Sequence, residues 1–214
     1  MELLAHGRSA EVYALDDEWV VRRYFVDNDT SVEAAVMTYV REHGVPVPLV
    51  RSINRTDMVL ERIHGPTMGE ALLAGRLGFD EAARELADLH QKLHAVPSRT
   101  ADPDARVLHM DIHPNNVMVS YTGPVLIDWC NVRDGPPELD VAMTALILAE
   151  QVAAGAVESS VIRSFTAAFL AAADGDPIPY LEAAVPIRGS DVLLADEEVA
   201  RLGAAADVVR ECAP

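Results

Sequence analysis

His109-Met110-Asp111-Ile112-His113-Pro114-Asn115-Asn116, followed by a hairpin pattern and Asp128-Trp129, is the stretch whose reading decides the fold. Val117-Met118-Val119-Ser120 and Pro124-Val125-Leu126-Ile127 read as two strands around a turn at Tyr121-Thr122-Gly123. A hairpin sets the residue before its first strand beside the residue after its second. Asn116 and Asp128 are therefore expected side by side, with Asp111 in the loop above them. Two carboxylates and a carboxamide at one point make a hard, all-oxygen site suited to Mg2+. The pattern matches a phosphoryl-transfer template, in which one Asp aims the attacking hydroxyl and an Asn and a later Asp hold metal on nucleotide phosphates. His109 and His113 are expected to brace the loop backbone.

Upstream, the first sixty residues read mostly as strands. Glu11–Leu15 and Trp19–Phe25 are separated by the turn signal Asp16-Asp17-Glu18, short enough for a hairpin. A helix follows from the capping-box pattern Thr30-Ser31-Val32-Glu33 to about His43-Gly44, where glycine stops it. Val45-Pro46-Val47-Pro48 is extended, because a residue before proline is pushed out of the helical region. Met58–Glu61 is one more strand, ended by Gly65-Pro66. Beyond it the pattern turns helical: Asp80 is expected to cap a helix through His94, with Leu86, Leu89, His90 and Leu93 as its apolar stripe. From about Glu138 the chain reads as helix, with breaks at Gly175–Pro179 and Pro186–Gly189. A β-rich front and α-rich back predict an α+β, bilobal architecture, divided into residues 1–62 and 63–214 with a joint near 58–66.

The chain has 214 residues, half of them hydrophobic and 24% charged, a globular composition. Its net charge of −17 disfavours phosphate backbones and anionic lipid surfaces, so neither nucleic acid nor membrane is an expected partner. The longest apolar runs are far short of the roughly 20 residues that span a bilayer. Met1-Glu2-Leu3-Leu4-Ala5-His6 carries no basic leader, and Cys130 and Cys212 make no disulfide framework or metal motif. The cytoplasm is the expected compartment.

The two site segments, His109–Asn116 and Ile127-Asp128-Trp129, resemble the catalytic loop and metal-binding segment of aminoglycoside phosphotransferase-like kinases. That family has a protein-kinase-like fold and phosphorylates small-molecule hydroxyls. The resemblance extends over most of the chain: Gly7–Tyr13 to the nucleotide-covering loop, Glu33–Pro48 to the αC helix and the strand entry beyond. Met58–Gly65 is similar to the hinge, and Glu138–Ala142 to the segment whose Asp braces the catalytic loop. The resemblance implies ATP and Mg2+, with Asp111 as catalytic base and Asn116 and Asp128 as metal ligands. It assigns the nucleotide to Gly7, Ser9, Arg22, Glu33, Glu61 and Ile63. Arg22 stands where the family's usual lysine would lie, with Arg23 as its neighbour on the opposite strand face.

Two jobs are open to Glu33: pairing with Arg22, or bonding back to the Thr30 backbone. Trp129 departs from the Asp-Phe-Gly of protein kinases and no glycine follows it, which suggests a fixed loop. Three functions are therefore carried forward. The first is an ATP- and Mg2+-dependent kinase of a small-molecule hydroxyl, aminoglycoside-like, amino alcohol or sugar. The second is a pseudokinase or nucleotide-binding module. The third is a metallohydrolase using His109, Asp111, His113 and Asp128. Asp174, Asp176, Glu182, Asp191, Asp196, Glu197 and Glu198 make the C-terminal region acidic, which reads chiefly as a solvated surface.

Overall fold

The computed structural model describes residues 1–26 and 30–214. Its N-terminal part is one antiparallel sheet of β1 (Glu2–His6), β2 (Ala10–Ala14), β3 (Trp19–Tyr24), β4 (Val50–Asn54) and β5 (Asp57–Glu61), ordered β1-β2-β3-β5-β4. The β2–β3 turn is set by Asp16, whose Oδ1 accepts from the backbone N–H of Glu18 and Trp19, both at 2.8 Å. β3 is the central strand, and its period-two alternation sends Arg22 to the core side, where it is 8% exposed. Arg23 faces outward and binds Asp57 through Nε and Nη2 at 2.9 and 2.7 Å. Strands β1 and β4 were not separated in the sequence reading; most of their residues are exposed, so no buried face marks them.

α1 (Thr30–Glu42) buries Glu33, Ala34, Val36, Met37 and Val40. Gly44 ends it in the left-handed region at φ 88°, donating to the Arg41 carbonyl at 2.9 Å. The extended segment 45–48 then runs against the second hairpin, where Leu126 N–H donates to the Pro46 carbonyl at 2.8 Å. That hairpin is β7 (Val117–Ser120) with β8 (Gly123–Leu126), in the register Val117↔Leu126; between β5 and β7 lies β6 (Arg106–Leu108), paired with β9 (Arg133–Gly135). Gly65 crosses β7 so closely that an added Cβ would lie 2.1 Å from the Val119 carbonyl oxygen. At φ 142° this is a place only glycine fits.

The C-terminal part is helical: α2 (Met68–Leu73), α3 (Phe79–His94), α4 (Pro137–Ala153), α5 (Ser159–Ala172), α6 (Leu181–Gly189) and α7 (Asp196–Cys212). α4 is buried without interruption from Leu139 to Ala149, so it is the helix the others pack around. Each large side chain it buries contributes about 1.5–3 kcal/mol. Two expectations are corrected here. Gly78, not Asp80, is the N-cap of α3, and Asp80 sits in the first turn, where its charge suits the helix dipole. Pro186 lies inside α6 instead of breaking it, and the helix runs on to Gly189 without the bond that an N–H at 186 would give to the Glu182 carbonyl. Among the described residues no helix is long and apolar enough to cross a membrane.

Leu86, Leu89, His90 and Leu93 all face the core, as the stripe predicts. His90 is fully enclosed between α3 and α4; its Nε2 meets Thr144 Oγ1 at 3.0 Å, and that hydroxyl donates to the Ile112 carbonyl at 2.8 Å. Burial pushes the His90 imidazole down to about 3. Its folded value lies below the unfolded one of about 6.5, so the unfolded chain takes up the proton first as pH falls. This contribution is complete above about pH 7 and declines by about 1.4 kcal/mol per unit below about 6.5. Urea unfolding should therefore show stability falling between pH 7 and pH 5, with His90 responsible for about 2 kcal/mol of the loss. His90→Gln should remove that share; an unchanged pH slope in the variant would show that His90 is not held neutral.

Candidate active site

The loop His109–Asn116 is fixed from below by one carboxylate. Asp140, in the first turn of α4 and fully buried, accepts from His109 N–H at 3.0 Å and from Met110 N–H at 2.7 Å. His94 Nε2 lies 3.1 Å from the same carboxylate. Burial alone would raise the Asp140 carboxyl, but the hydrogen bond from His94 and the nearby His90, His94 and His109 hold it well below the usual range. Met110 is carried at φ 68°, a left-handed conformation costly for a residue with a side chain. The two hydrogen bonds to Asp140 stabilise that turn. Beyond it, His109 Nε2 donates to the Ile127 carbonyl at 3.1 Å while Nδ1 accepts from Asp111 N–H at 3.2 Å. Both nitrogens of His109 are thereby engaged, so it is a brace between loop and hairpin. Its ring stands edge-on to Trp129 at 4.6 Å.

His113 also works on the backbone, its Nδ1 accepting from Asn115 N–H at 3.3 Å across the short 3-10 turn Pro114–Asn116. His113 Nε2 lies 3.9 Å from Asp111 Oδ1, but among the described residues His109, Asp111, His113 and Asp128 do not form a group close enough to share a metal, unlike the metallohydrolase expectation. A group of potential metal ligands does occur at His90, His94 and Asp140, beneath the loop.

Asn116 and Asp128 come together at the hairpin base, where Ile127 N–H donates to the Asn116 carbonyl at 2.9 Å. Asn116 Nδ2 donates to the Asp111 carbonyl at 2.9 Å and to Asp111 Oδ2 at 3.0 Å. Its amide nitrogen is thus turned to Asp111, and its oxygen is the end left to ligate a cation. Asp128, like Met110, is left-handed, at φ 67°. Strain at two side-chain-bearing residues of one site marks a geometry imposed by its surroundings. The donors Asn116 and Asp128 are hard oxygens, a set that fits a divalent cation of the Mg2+ or Ca2+ kind.

Arg22 reaches this site from the sheet. Its Nη2 donates to Asp128 Oδ1 at 2.5 Å and its Nη1 to Glu33 Oε1 at 3.3 Å. Tyr24 hydroxyl donates to Glu33 Oε2, and the Tyr24 ring lies under the Arg22 guanidinium with 4.8 Å from Cζ to its centroid. Of the two jobs open to Glu33, the structure shows the pairing with Arg22. Burial raises the Glu33 carboxyl, with Arg22 opposing; at Asp128 the balance reverses, because Arg22 outweighs burial and keeps it ionised. Asp111 is pushed up to about 7, first by burial and then by the charge of Asp128, with Arg188 opposing.

Other residues singled out in the sequence lie further off. Gly7 and Ser9 form the turn between β1 and β2, with Gly7 N–H donating to the Ala10 carbonyl at 2.9 Å and Phe25 N–H to the Ser9 carbonyl at 3.0 Å. Glu61 turns away from the Asp111 group: its Oε2 accepts from Leu49 N–H at 3.0 Å and lies 3.4 Å from Arg41 Nη1. Ile63 is half-buried on the segment leaving β5. The sequence reading missed Arg188, whose Nη1 is 3.6 Å from Asp111 Oδ1. It also missed Arg8, which binds the Leu193 carbonyl at 3.2 Å and Glu198 Oε1 at 3.0 Å, tying the β1–β2 turn to the C-terminal helices. No local pattern signals either pairing, since both partners are remote in sequence.

Compared with known proteins, the chain matches the model of the phosphotransferase enzyme family over residues 1–106 and 68–174. A probable serine/threonine-protein kinase BUD32 homolog of Archaeoglobus fulgidus is 28% identical over 115 residues, covering 54% of this chain and 48% of that protein. The chain thus matches about half the length of this curated relative. An ethanolamine kinase of Plasmodium vivax superposes with a TM-score of 0.66 at 10% identity, covering 99% of this chain and 82% of that one. An amicoumacin kinase in complex with AMP-PNP and Ca2+ gives 0.57 at 15% identity, covering 100% and 89%. At these identities the likeness shows the fold, which is protein-kinase-like with a β-rich N-terminal part and a helical C-terminal part.

Among the described residues Arg22 is the cation that pairs with both Glu33 and Asp128. Removing it strands two mostly buried carboxylates, so Arg22→Met should destabilise the protein by about 3–5 kcal/mol in urea unfolding. Adding Glu33→Gln to Arg22→Met should recover part of the loss. A single variant as stable as the parent would mean the guanidinium does not hold this joint.

Proposed function

The chain belongs to the phosphotransferase enzyme family, and on that premise we propose that it is an ATP- and Mg2+-dependent kinase of a small-molecule hydroxyl. One observation carries this reading: Asp111, Asn116 and Asp128 converge at the hairpin base with Arg22 against Asp128. On this reading residues 1–62 cover the nucleotide, with Gly7 and Ser9 over the phosphates and Glu61 and Ile63 along the hinge. Residues 63–214 supply the catalytic loop and the acceptor side.

Asn116 and Asp128 would hold the divalent cation, which supplies neutralisation of charge on the triphosphate. Asp111 aims the acceptor hydroxyl and takes its proton as the γ-phosphorus–oxygen bond to ADP breaks and the new phosphorus–oxygen bond forms. Its carboxyl is raised to about 7 in this structure, so it is poised near neutral pH for accepting a proton. Asn116 Nδ2 fixes the rotamer of Asp111, and the His109 and Asp140 braces fix the backbone beneath it. This is catalysis by positioning. The kinship in fold with an ethanolamine kinase supports a small hydroxyl acceptor; the AMP-PNP and Ca2+ of the amicoumacin kinase support nucleotide and divalent metal.

A second reading, a nucleotide-binding module without turnover, is favoured by one feature. Arg22 is held by both Asp128 and Glu33, which leaves less of its fork for phosphate. Nucleotide consumption measured across aminoglycosides, amino alcohols, sugars and nucleosides separates the two readings. The kinase reading expects turnover with one acceptor class, and a loss of about 10²–10⁴-fold in kcat for Asp111→Asn with MgATP affinity retained. MgATP bound but consumed with no acceptor would favour the binding module. Full turnover in the Asp111→Asn protein would remove Asp111 from the mechanism.

A further inference from the structure

The catalytic loop from Asp111 to Asn116 contains no lysine or arginine. The guanidinium beside Asp111 comes instead from α6. Arg188 Nε donates to Glu150 Oε1 at 2.8 Å and Nη2 to Glu150 Oε2 at 3.4 Å, a two-point grip by a residue of α4. That grip fixes the plane of the guanidinium and spends one edge of it. The other edge, Nη1, lies 3.6 Å from Asp111 Oδ1 and 3.5 Å from Asp191 Oδ2. Both distances are long for charge-assisted hydrogen bonds, which run about 2.7–2.9 Å. Nη1 therefore stands beside the carboxylate of Asp111, its one hydrogen bond among the described residues being the long one to Asp191. The side chain is 13% exposed, so the charge sits in a largely enclosed place where its field is poorly screened.

Arg22 presents a contrast. Its two nitrogens are committed to Asp128 and Glu33 at the metal side of the site. On the kinase reading the acceptor hydroxyl is received at Asp111, whereas Arg22 is bound at Asp128. The donor beside Asp111 is Arg188.

We infer that Arg188 is a second cation of the transfer site, its Nη1 donating to an oxygen of the phosphoryl group as it passes to the acceptor, with Glu150 as the residue that positions it. This rests on the kinase reading above. In the step itself the bond from the γ-phosphorus to the ADP oxygen breaks, the bond to the acceptor oxygen forms, and the acceptor's proton goes to Asp111. Arg188 keeps its protons throughout and offsets charge on the three phosphoryl oxygens in flight. A guanidinium already oriented by a carboxylate pays little reorganisation when that charge arrives.

The test uses MgADP alone and MgADP with aluminium fluoride, which mimics the phosphoryl group in transfer and needs no identified acceptor. Affinities are read by calorimetry on the full chain. Parent protein should bind the aluminium fluoride complex more tightly than MgADP. Arg188→Gln should leave MgADP affinity within about twofold and weaken the aluminium fluoride complex by roughly 10²-fold. Arg188→Lys should fall between, and Glu150→Gln, which keeps the guanidinium but loosens its grip, should show a smaller loss of the same kind. These two variants keep the test open should Arg188→Gln fail to fold. Equal weakening of both ligands in all three variants, or no weakening in any, would overturn the role of Arg188. A parent protein that binds neither ligand would instead overturn the kinase reading itself.

Discussion

The architecture of the site depends on one buried carboxylate. Asp140 is enclosed at the start of α4, and such a group is tolerated only when its oxygens are matched by donors. Here they accept from two consecutive backbone N–H groups of the loop and face His94 from α3. These two bonds anchor the chain at His109 and Met110, and Met110 then redirects it at φ 68°. The turn delivers Asp111 to the cleft and leaves His109 facing the hairpin. The His109 imidazole then passes the constraint on to the Ile127 carbonyl, one residue before Asp128. Helix α4, itself the centre of the C-terminal core, is thereby connected to both carboxylates of the site.

A second constraint joins the sheet to this platform. Arg22 is placed by strand alternation, Glu33 by the first turn of α1, and Asp128 by the hairpin. The three meet only if sheet, helix and hairpin hold their relative positions. The Pro46 and Pro66 carbonyls, bonded to Leu126 and Val119, supply that register from the backbone. An arginine suits this task better than a lysine would, since its planar fork can serve two carboxylates at once.

Much of this was legible in the sequence because it rests on local rules. The hairpin register follows from two short β-branched runs around a glycine turn, and it alone sets Asn116 beside Asp128. Arg22 and Arg23 could be assigned to opposite faces by period two, and the structure separates them so. What was not legible depends on distant partners. Strands β6 and β9 are three residues each and exist through their pairing. Pro186 looked like a helix stop because the local rule treats an internal proline as a break, yet α6 runs through it to Gly189. Arg188 then falls in the last turn of that helix, and its meaning comes from Glu150 and Asp111, neither of which is near it in the chain.

Net charge misleads at this site, and the reason is local. A chain at −17 should repel a triphosphate at long range. Salt screens such fields within roughly 8 Å at physiological ionic strength. Inside the cleft the balance is set by a few groups: Arg22 with Asp128 and Glu33 on one side, Arg188 with Glu150, Asp191 and Asp111 on the other. Each guanidinium is surrounded by more carboxylates than it can neutralise. On the kinase reading such a site calls for added positive charge, which a divalent cation arriving with the nucleotide would supply. The acidity of the site would then favour the metal complex over the bare triphosphate, whose charge these carboxylates repel. On the kinase reading, the surplus of acid is what makes nucleotide binding conditional on the cation.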